Sequence, residues 1–315
     1  MKKKIFCSGA FAALLGLASC QQNESDVLNS EARLGMNASV SNVNPARTSV
    51  SGVTTSFVVG DKVGFFMPES ETPVEWSYSG TSWSPTQELF WPDQTNSYSF
   101  CAFYPYVESA TRTSVPVPDL STQTGVLEDI ADYDFLVAST SCSYKSSNNG
   151  SVEFTGASAF KHQLSLIKIN LKNASDGEIT LKKIKLEGKD LMSTYTYNMT
   201  SGMMEKKVDG SVVESWEKTL DGGAVIQTDG YPVAVLCNPS EAERGLTLSL
   251  EYERDGYSYT ASTTSIKSLF ESGKLYQYTI MIEREGLVIS GNEIIDWNTG
   301  ETLEDIIVKD ESATV

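Results

Sequence analysis

Leu246-Thr247-Leu248-Ser249-Leu250-Glu251-Tyr252-Glu253 places Leu and Tyr at every second position and Thr, Ser or Glu between them. A period of two puts the apolar side chains on one face of an extended chain and the polar ones on the other, which is the mark of a half-buried β-strand. Asp255-Gly256 follows, a dipeptide that accepts the positive φ angles of a tight hairpin turn, and Tyr257, Tyr259 and Ala261 then resume the alternation. One antiparallel hairpin is thereby predicted from about fifteen residues.

The same pattern extends outward in both directions. Tyr276, Tyr278, Ile280 and Ile282 alternate with Gln277, Thr279, Met281 and Glu283, and Glu285-Gly286 offers a turn before Leu287-Val288-Ile289. In Ile179-Thr180-Leu181-Lys182-Lys183-Ile184-Lys185-Leu186 the apolar positions switch from odd to even at the lysine pair, so one extra residue there predicts a β-bulge. Further strands are expected at Val63–Met67, Ser97–Tyr104, Phe135–Ser139, Leu164–Leu171 and Tyr231–Cys237, separated by clusters of Gly, Pro, Ser and Asn. No sustained helical period is visible. Many short strands need a second layer to cover their apolar faces, so the expected class is all-β, built of sandwiches. A chain of 315 residues exceeds the usual size of one core. We therefore expect two domains, 36–158 and 159–315 with its tail, meeting near Ser158.

The first residues read differently. Met1-Lys2-Lys3-Lys4 precedes an apolar run from Ile5 to Leu17, too short for a permanent span, and the small residues Ala18 and Ser19 precede Cys20. Residues 1–19 are read as a cleaved signal peptide, and Leu17-Ala18-Ser19-Cys20 resembles the bacterial lipobox. That motif implies acylation of Cys20 and a lipid anchor. Residues 20–35 are expected to be a polar tether. The net charge is −17, and loss of three lysines with the signal peptide brings it to about −20. So acidic a surface repels phosphate backbones, so nucleic acid is not an expected partner. No later run approaches the length of a membrane span.

Chemistry-bearing residues are sparse. Cys101, Cys142 and Cys237 show no CxxC pairing, and Cys101 and Cys237 sit in apolar runs, as buried small side chains do. His162 is the single histidine; with no G-x-S-x-G elbow, a structural hydrogen bond at a strand entrance is the expected role. The acidic pairs Asp132/Asp134 and Glu304/Asp305 lack the spacing of a calcium loop. No catalytic residue, metal or cofactor is expected. Trp76, Tyr78 and Trp83 around Gly80 could form an exposed platform for stacking sugars or, more simply, a hairpin that buries its aromatics.

Six segments follow one another along the chain: Val59-Gly60-Asp61-Lys62-Val63-Gly64-Phe65-Phe66, Leu89-Phe90-Trp91-Pro92-Asp93, Tyr98 to Tyr106, Phe160-Lys161-His162-Gln163-Leu164-Ser165, Gly273-Lys274-Leu275-Tyr276 and Ile294-Ile295-Asp296-Trp297. Taken in that order, they resemble the fimbrillin family, the subunits and relatives of type V pili of Gram-negative anaerobes. The resemblance implies two tandem transthyretin-like β-sandwich domains after a cleaved lipoprotein signal peptide.

It further implies surface export and, in polymerising members, a protease cut after an N-terminal Arg that removes a strand and opens a groove for another subunit. Arg47 and Arg33 are the candidate cut sites, with Arg47 favoured because it follows the candidate displaced strand Asn37, Ala38, Ser39, Val40, Ser41, Asn42 and Val43. The expected partners are other fimbrial subunits or host and bacterial surface ligands, and the expected location is the outer membrane through the lipid anchor, or the fimbrium after processing. The alternative is a monomeric surface lipoprotein that binds glycans. The tail 298–315 could donate a strand, dock on its own domain or fray.

Overall fold

The computed structural model describes residues 32–41, 55–267, 269–284, 286–299 and 302–306. Cys20, Asn42, Val43 and Arg47 lie outside these, as do the signal peptide and the tail beyond Ile306.

The first half of the chain forms β1 (Gly35–Ala38), β2 (Lys62–Phe66), β3 (Val74–Tyr78), β4 (Trp83–Pro85), β5 (Ser97–Tyr104), β6 (Val115–Pro116), β7 (Leu136–Ser143), β8 (Ser151–Phe154) and β9 (Lys161–His162). The second half forms β10 (Ser165–Asn173), β11 (Ile179–Glu187), β12 (Tyr195–Asn198), β13 (Met203–Lys206), β14 (Ser215–Val225), β15 (Tyr231–Cys237), β16 (Thr247–Arg254), β17 (Tyr257–Thr263), β18 (Lys274–Ile282), β19 (Leu287–Asp296) and β20 (Thr302–Ile306). Helical structure among the described residues is confined to short 3-10 turns such as Leu127–Asp132.

The hairpin that opens the sequence argument is present: β16 and β17 pair from Leu248 opposite Thr263 to Arg254 opposite Tyr257, with Asp255 and Gly256 both at positive φ. Leu248, Leu250 and Tyr252 are buried, as their spacing requires. Tyr257, at the tip, is 70% exposed. β18 pairs with β19 from Lys274 opposite Asp296 to Ile282 opposite Leu287, and the bulge falls between Leu181 and Lys183 in both of β11's ladders.

In the second half, a five-stranded sheet (β15-β10-β18-β19-β20) and a four-stranded sheet (β14-β11-β16-β17) enclose one core. In the first half, a six-stranded sheet (β4-β3-β2-β5-β7-β9) is covered on one face by β1 and β8. Val63 and Phe65 of β2 join that covered face, whereas Phe66 points into the core shared with the second half. Between them, Gly64 lies opposite Phe103, and a Cβ at Gly64 would fall 2.2 Å from the Phe103 ring. Only glycine permits that ring to lie across the sheet.

The two halves are stitched rather than merely linked. β6 pairs with β12, Val115 opposite Tyr197, within the sheet β13-β12-β6. Further along, the buried Gln123 amide donates to the Leu236 carbonyl at 2.9 Å and accepts from the Leu236 amide at 2.7 Å, and the Trp216 indole donates to the Gln123 carbonyl at 2.9 Å. Ala110, Val115, Leu120 and Ile130, placed by sequence in 36–158, are thus buried in the core of the second half. The chain itself crosses from β9 in the first sheet to β10 in the second at Gln163-Leu164.

Candidate assembly interface

Leu34, Met36, Ala38 and Val40 alternate with Arg33, Gly35, Asn37, Ser39 and Ser41, a period-two pattern that begins within the expected tether. The chain is accordingly extended and paired from Ala32 onward, because Leu34 and Met36 have an apolar groove to enter. Leu34, Met36 and Val40 are 5%, 4% and 7% exposed.

β1 runs parallel to β8, with Gly35 opposite Ser151 and Ala38 opposite Phe154. Its backbone is held along its length: Gly35 N–H donates to Gly150 O at 3.1 Å, Ser39 N–H to Phe154 O at 3.0 Å and Ser41 N–H to Phe160 O at 2.7 Å, while Ser39 O accepts from Phe160 N–H at 2.9 Å. On the other flank Leu34 N–H donates to Leu89 O at 2.8 Å and Ala32 O accepts from Trp91 N–H at 2.9 Å. Asn37, on the solvent side, donates to the Glu153 carboxylate at 2.8 Å. The apolar side chains enter a cluster with Phe65, Trp91, Phe100, Phe154 and Phe160. Gly150 sits at φ +79, where a Cβ would meet the Arg33 carbonyl oxygen at 2.8 Å, so this close approach requires glycine. The observed strand begins two residues before the span expected from Asn37, with pairing that continues to Ser41.

The two candidate cut sites differ. Arg33 forms an exposed ion pair with Glu88 at 2.6 Å and an antiparallel bridge with Phe90, and the amide that a cut after it would break is engaged with Leu89. Arg47 lies between Ser41 and Thr55 in sequence, outside the described residues.

The far end of the strand meets the closing motif of the chain. Ser41 Oγ donates to the Asn298 carbonyl at 3.1 Å, and the Asn298 side-chain oxygen accepts from the His162 amide at 2.9 Å. His162 is fully buried, with Nδ1 2.7 Å from the Asp134 carboxylate and its ring stacked on Trp297. The single histidine is therefore a structural joint at a strand entrance, and Asp134 is its buried partner. Beside it, burial pushes the Asp296 carboxyl up, but Lys274 Nζ at 2.8 Å and the Asn298 and Thr299 amides outweigh this and hold it below its ordinary value. The tail after Trp297 returns to its own domain as β20, at the edge of β19.

The remaining candidates resolve as framework. Trp76 and Trp83 are buried, Tyr78 is half-buried against Trp83, and Phe57 packs edge-on to Trp83 at 4.9 Å, so the aromatic platform is core. Cys101 and Cys237 are buried free thiols, and burial pushes Cys237 up to about 12. Among the described residues no cluster of His, Cys, Asp or Glu has the makings of a metal site, and no helix is long and apolar enough to cross a membrane. Sequence reasoning missed Leu34 because it fell in the stretch 20–35 judged polar overall, and Met36 because the candidate strand was begun at Asn37; their alternation was the available signal.

Known proteins resemble this chain in sequence and in fold. A candidate fimbrium subunit of Bacteroides uniformis is 21% identical over 318 residues, covering 95% of this chain and 97% of that one. A candidate fimbrium tip subunit of Bacteroides ovatus is 24% identical over 180 residues, covering 50% of this chain and 33% of that one. A solved candidate cell adhesion protein from Bacteroides uniformis superposes with a TM-score of 0.56 at 18% identity, covering 85% of this chain and all of that one, and one from Bacteroides ovatus also reaches 0.56 at 16% identity, covering 89% and 99%. The pattern of the fimbrillin-like family matches residues 48–297, and the chain belongs to that family.

Proposed function

We propose that the chain is a cell-surface fimbrial subunit that is exported as a lipoprotein and joins neighbouring copies by strand addition. The observation that carries this reading is the docked segment Ala32–Ser41, hydrogen-bonded on both flanks and buried through Leu34, Met36 and Val40. The names of the fimbrium-subunit relatives support it.

Cleavage after Arg47 would leave that segment held without a covalent link. Burial of its three apolar side chains is worth about 5–9 kcal/mol, so departure is slow unless another strand takes the place. An emptied groove offers unpaired backbone groups and apolar pockets, the two requirements for strand addition. Cleavage after Arg33 would leave Leu34 and Met36 on the body and open nothing. Acylation of Cys20 would hold the precursor at the outer membrane, and a cut at Arg47 would detach the lipid together with the strand. The lipid then serves transport and guards against early assembly. The alternative of a monomeric glycan binder based on Trp76, Tyr78 and Trp83 loses its support, since Trp76 and Trp83 are core residues.

The test is treatment of purified precursor with an Arg-specific protease. Detergent-resistant ladders are expected from the natural chain and from Arg33→Ala, and none from Arg47→Ala. Monomer at every protease dose overturns the proposal. N-terminal sequencing of the protein recovered from cells provides a second reading: Thr48 is expected after processing, Cys20 without it.

A further inference from the structure

A cleft of about 670 Å³ opens in the second half of the chain, between the β12–β13 hairpin, the turn Pro239–Arg244 and the segment Phe270–Ser272. It does not include the N-terminal strand, and its wall takes in Gln163, next to His162 in the motif noted in the sequence. Its volume falls in the usual range for a small-molecule site, roughly 300–1,000 Å³.

The walls are braced from behind. Arg244, 9% exposed, donates to the Asp190 carbonyl and to the Pro239 carbonyl, both at 2.7 Å, while its Nε has no partner among the described residues. Lys206 of the hairpin pairs with the Asp190 carboxylate, which also accepts from Ser193 Oγ at 3.1 Å. Asn238 donates to the Ser193 carbonyl at 2.8 Å and keeps a buried side-chain oxygen without a partner among the described residues. The hairpin and the turn are thus fixed relative to each other before any ligand arrives.

The lining combines two chemistries. Tyr195, Tyr197, Met203, Met204 and Phe270 supply apolar surface, with Met203 52% exposed. Glu241, Glu243 and Glu271 stand at the rim with Lys189, and none of these four side chains has an ion-pair or hydrogen-bond partner among the described residues. Three free carboxylates on a chain of net charge −17 disfavour an anion. Lys189 and the Arg244 guanidinium disfavour a cation, and the charged rim disfavours a purely apolar molecule.

A hydroxyl-rich neutral ring meets all three conditions. Its C–H face lies on tyrosine and methionine, its hydroxyls donate to carboxylates, and their oxygens accept from an ammonium or a phenol. We infer that this cleft, framed by Tyr195, Glu241, Glu271 and Lys189, is a binding site for a neutral oligosaccharide.

The experiment is saturation-transfer NMR and calorimetry on the full-length protein with maltotriose, cellotriose, chitotriose and N-acetyllactosamine as probes. At least one probe is expected to bind saturably. The double variant Glu241→Gln/Glu271→Gln and the single variant Tyr195→Ala are each expected to weaken it about tenfold, and the double variant, which alters only exposed side chains, should melt at the natural temperature. Failure of all four probes overturns the inference, as does binding that persists unchanged in both variants. Saturable capture of an extended peptide in place of the sugars overturns it too. Ladder formation after Arg cleavage should be the same in all these variants, so this result and that of strand addition are read separately.

Discussion

The imidazole of His162 lies flat against the indole of Trp297, with ring centroids 3.6 Å apart and planes 6° from parallel. One residue ends the last strand of the first sheet and the other follows the last long strand of the second, so this stack fastens the two halves at the point where the chain crosses between them. Both side chains are inaccessible to solvent, and Asp134 holds the imidazole at its Nδ1 edge. Trp297→Ala should cost about 3–5 kcal/mol, the usual range for emptying a buried indole site. Asp134→Ala should cost about 1–3 kcal/mol by leaving a buried ring nitrogen unpaired. Urea denaturation of each variant measures both; a cost below that of an ordinary surface substitution for Trp297→Ala would mean that the stack holds nothing.

Gly64 and Phe103 make a second pair whose geometry is decisive. Gly64→Ala brings a methyl group to 2.2 Å from the ring, so ring and sheet must separate. The expected loss is about 1–3 kcal/mol. In a Phe103→Leu background the smaller side chain relieves the collision, and the two substitutions should be strongly non-additive. Additive melting shifts would show that the sheet yields elsewhere.

Acid should loosen the corner that receives the N-terminal strand. Asp296 is held below its ordinary value of 3.8 in the folded chain, despite the upward push of burial, by Lys274 and two backbone amides. A carboxylate depressed in this way contributes stability above its unfolded value, and the contribution is lost as the pH falls through the folded value. Thermal unfolding between pH 6 and 2 should therefore decline below about pH 4. Lys274→Gln removes the strongest of the lowering contacts, so its loss of stability on acidification should be shallower. Parallel curves for the two proteins would assign the acid sensitivity to other carboxylates.

The sequence carried much of this architecture because hairpins are local. Asp255-Gly256 and Glu285-Gly286 declare their turns, and the phase change at Lys182-Lys183 declares the bulge, since each needs only neighbouring residues to be read. β14 was not legible: an edge strand interrupted by Asp221-Gly222-Gly223 has little apolar alternation to show. Nor could sequence reveal that Met36 would lie beside Val152, a parallel pairing across more than a hundred residues with no turn to announce it. The cleft at Tyr195 and Glu241 was equally hidden, because its residues come from segments that only the closure of the second core brings together.

The docked segment can be tested as a separate molecule. A synthetic peptide with the sequence Ala32 to Ser41 carries every side chain and backbone group that fills the groove, including Leu34, Met36 and Val40. Made with Arg33→Ala so that the protease leaves it whole, and added during Arg-specific cleavage, it should re-occupy emptied grooves and shorten the ladders in proportion to its concentration. Met36→Asp in the peptide places a charge in an apolar pocket beside Val152 and should abolish the inhibition, since a buried unpaired carboxylate costs more than one pocket returns. Equal inhibition by both peptides would show that the inhibition does not work through this pocket. No inhibition by either would mean that the strand, once cut, is not what the incoming subunit replaces.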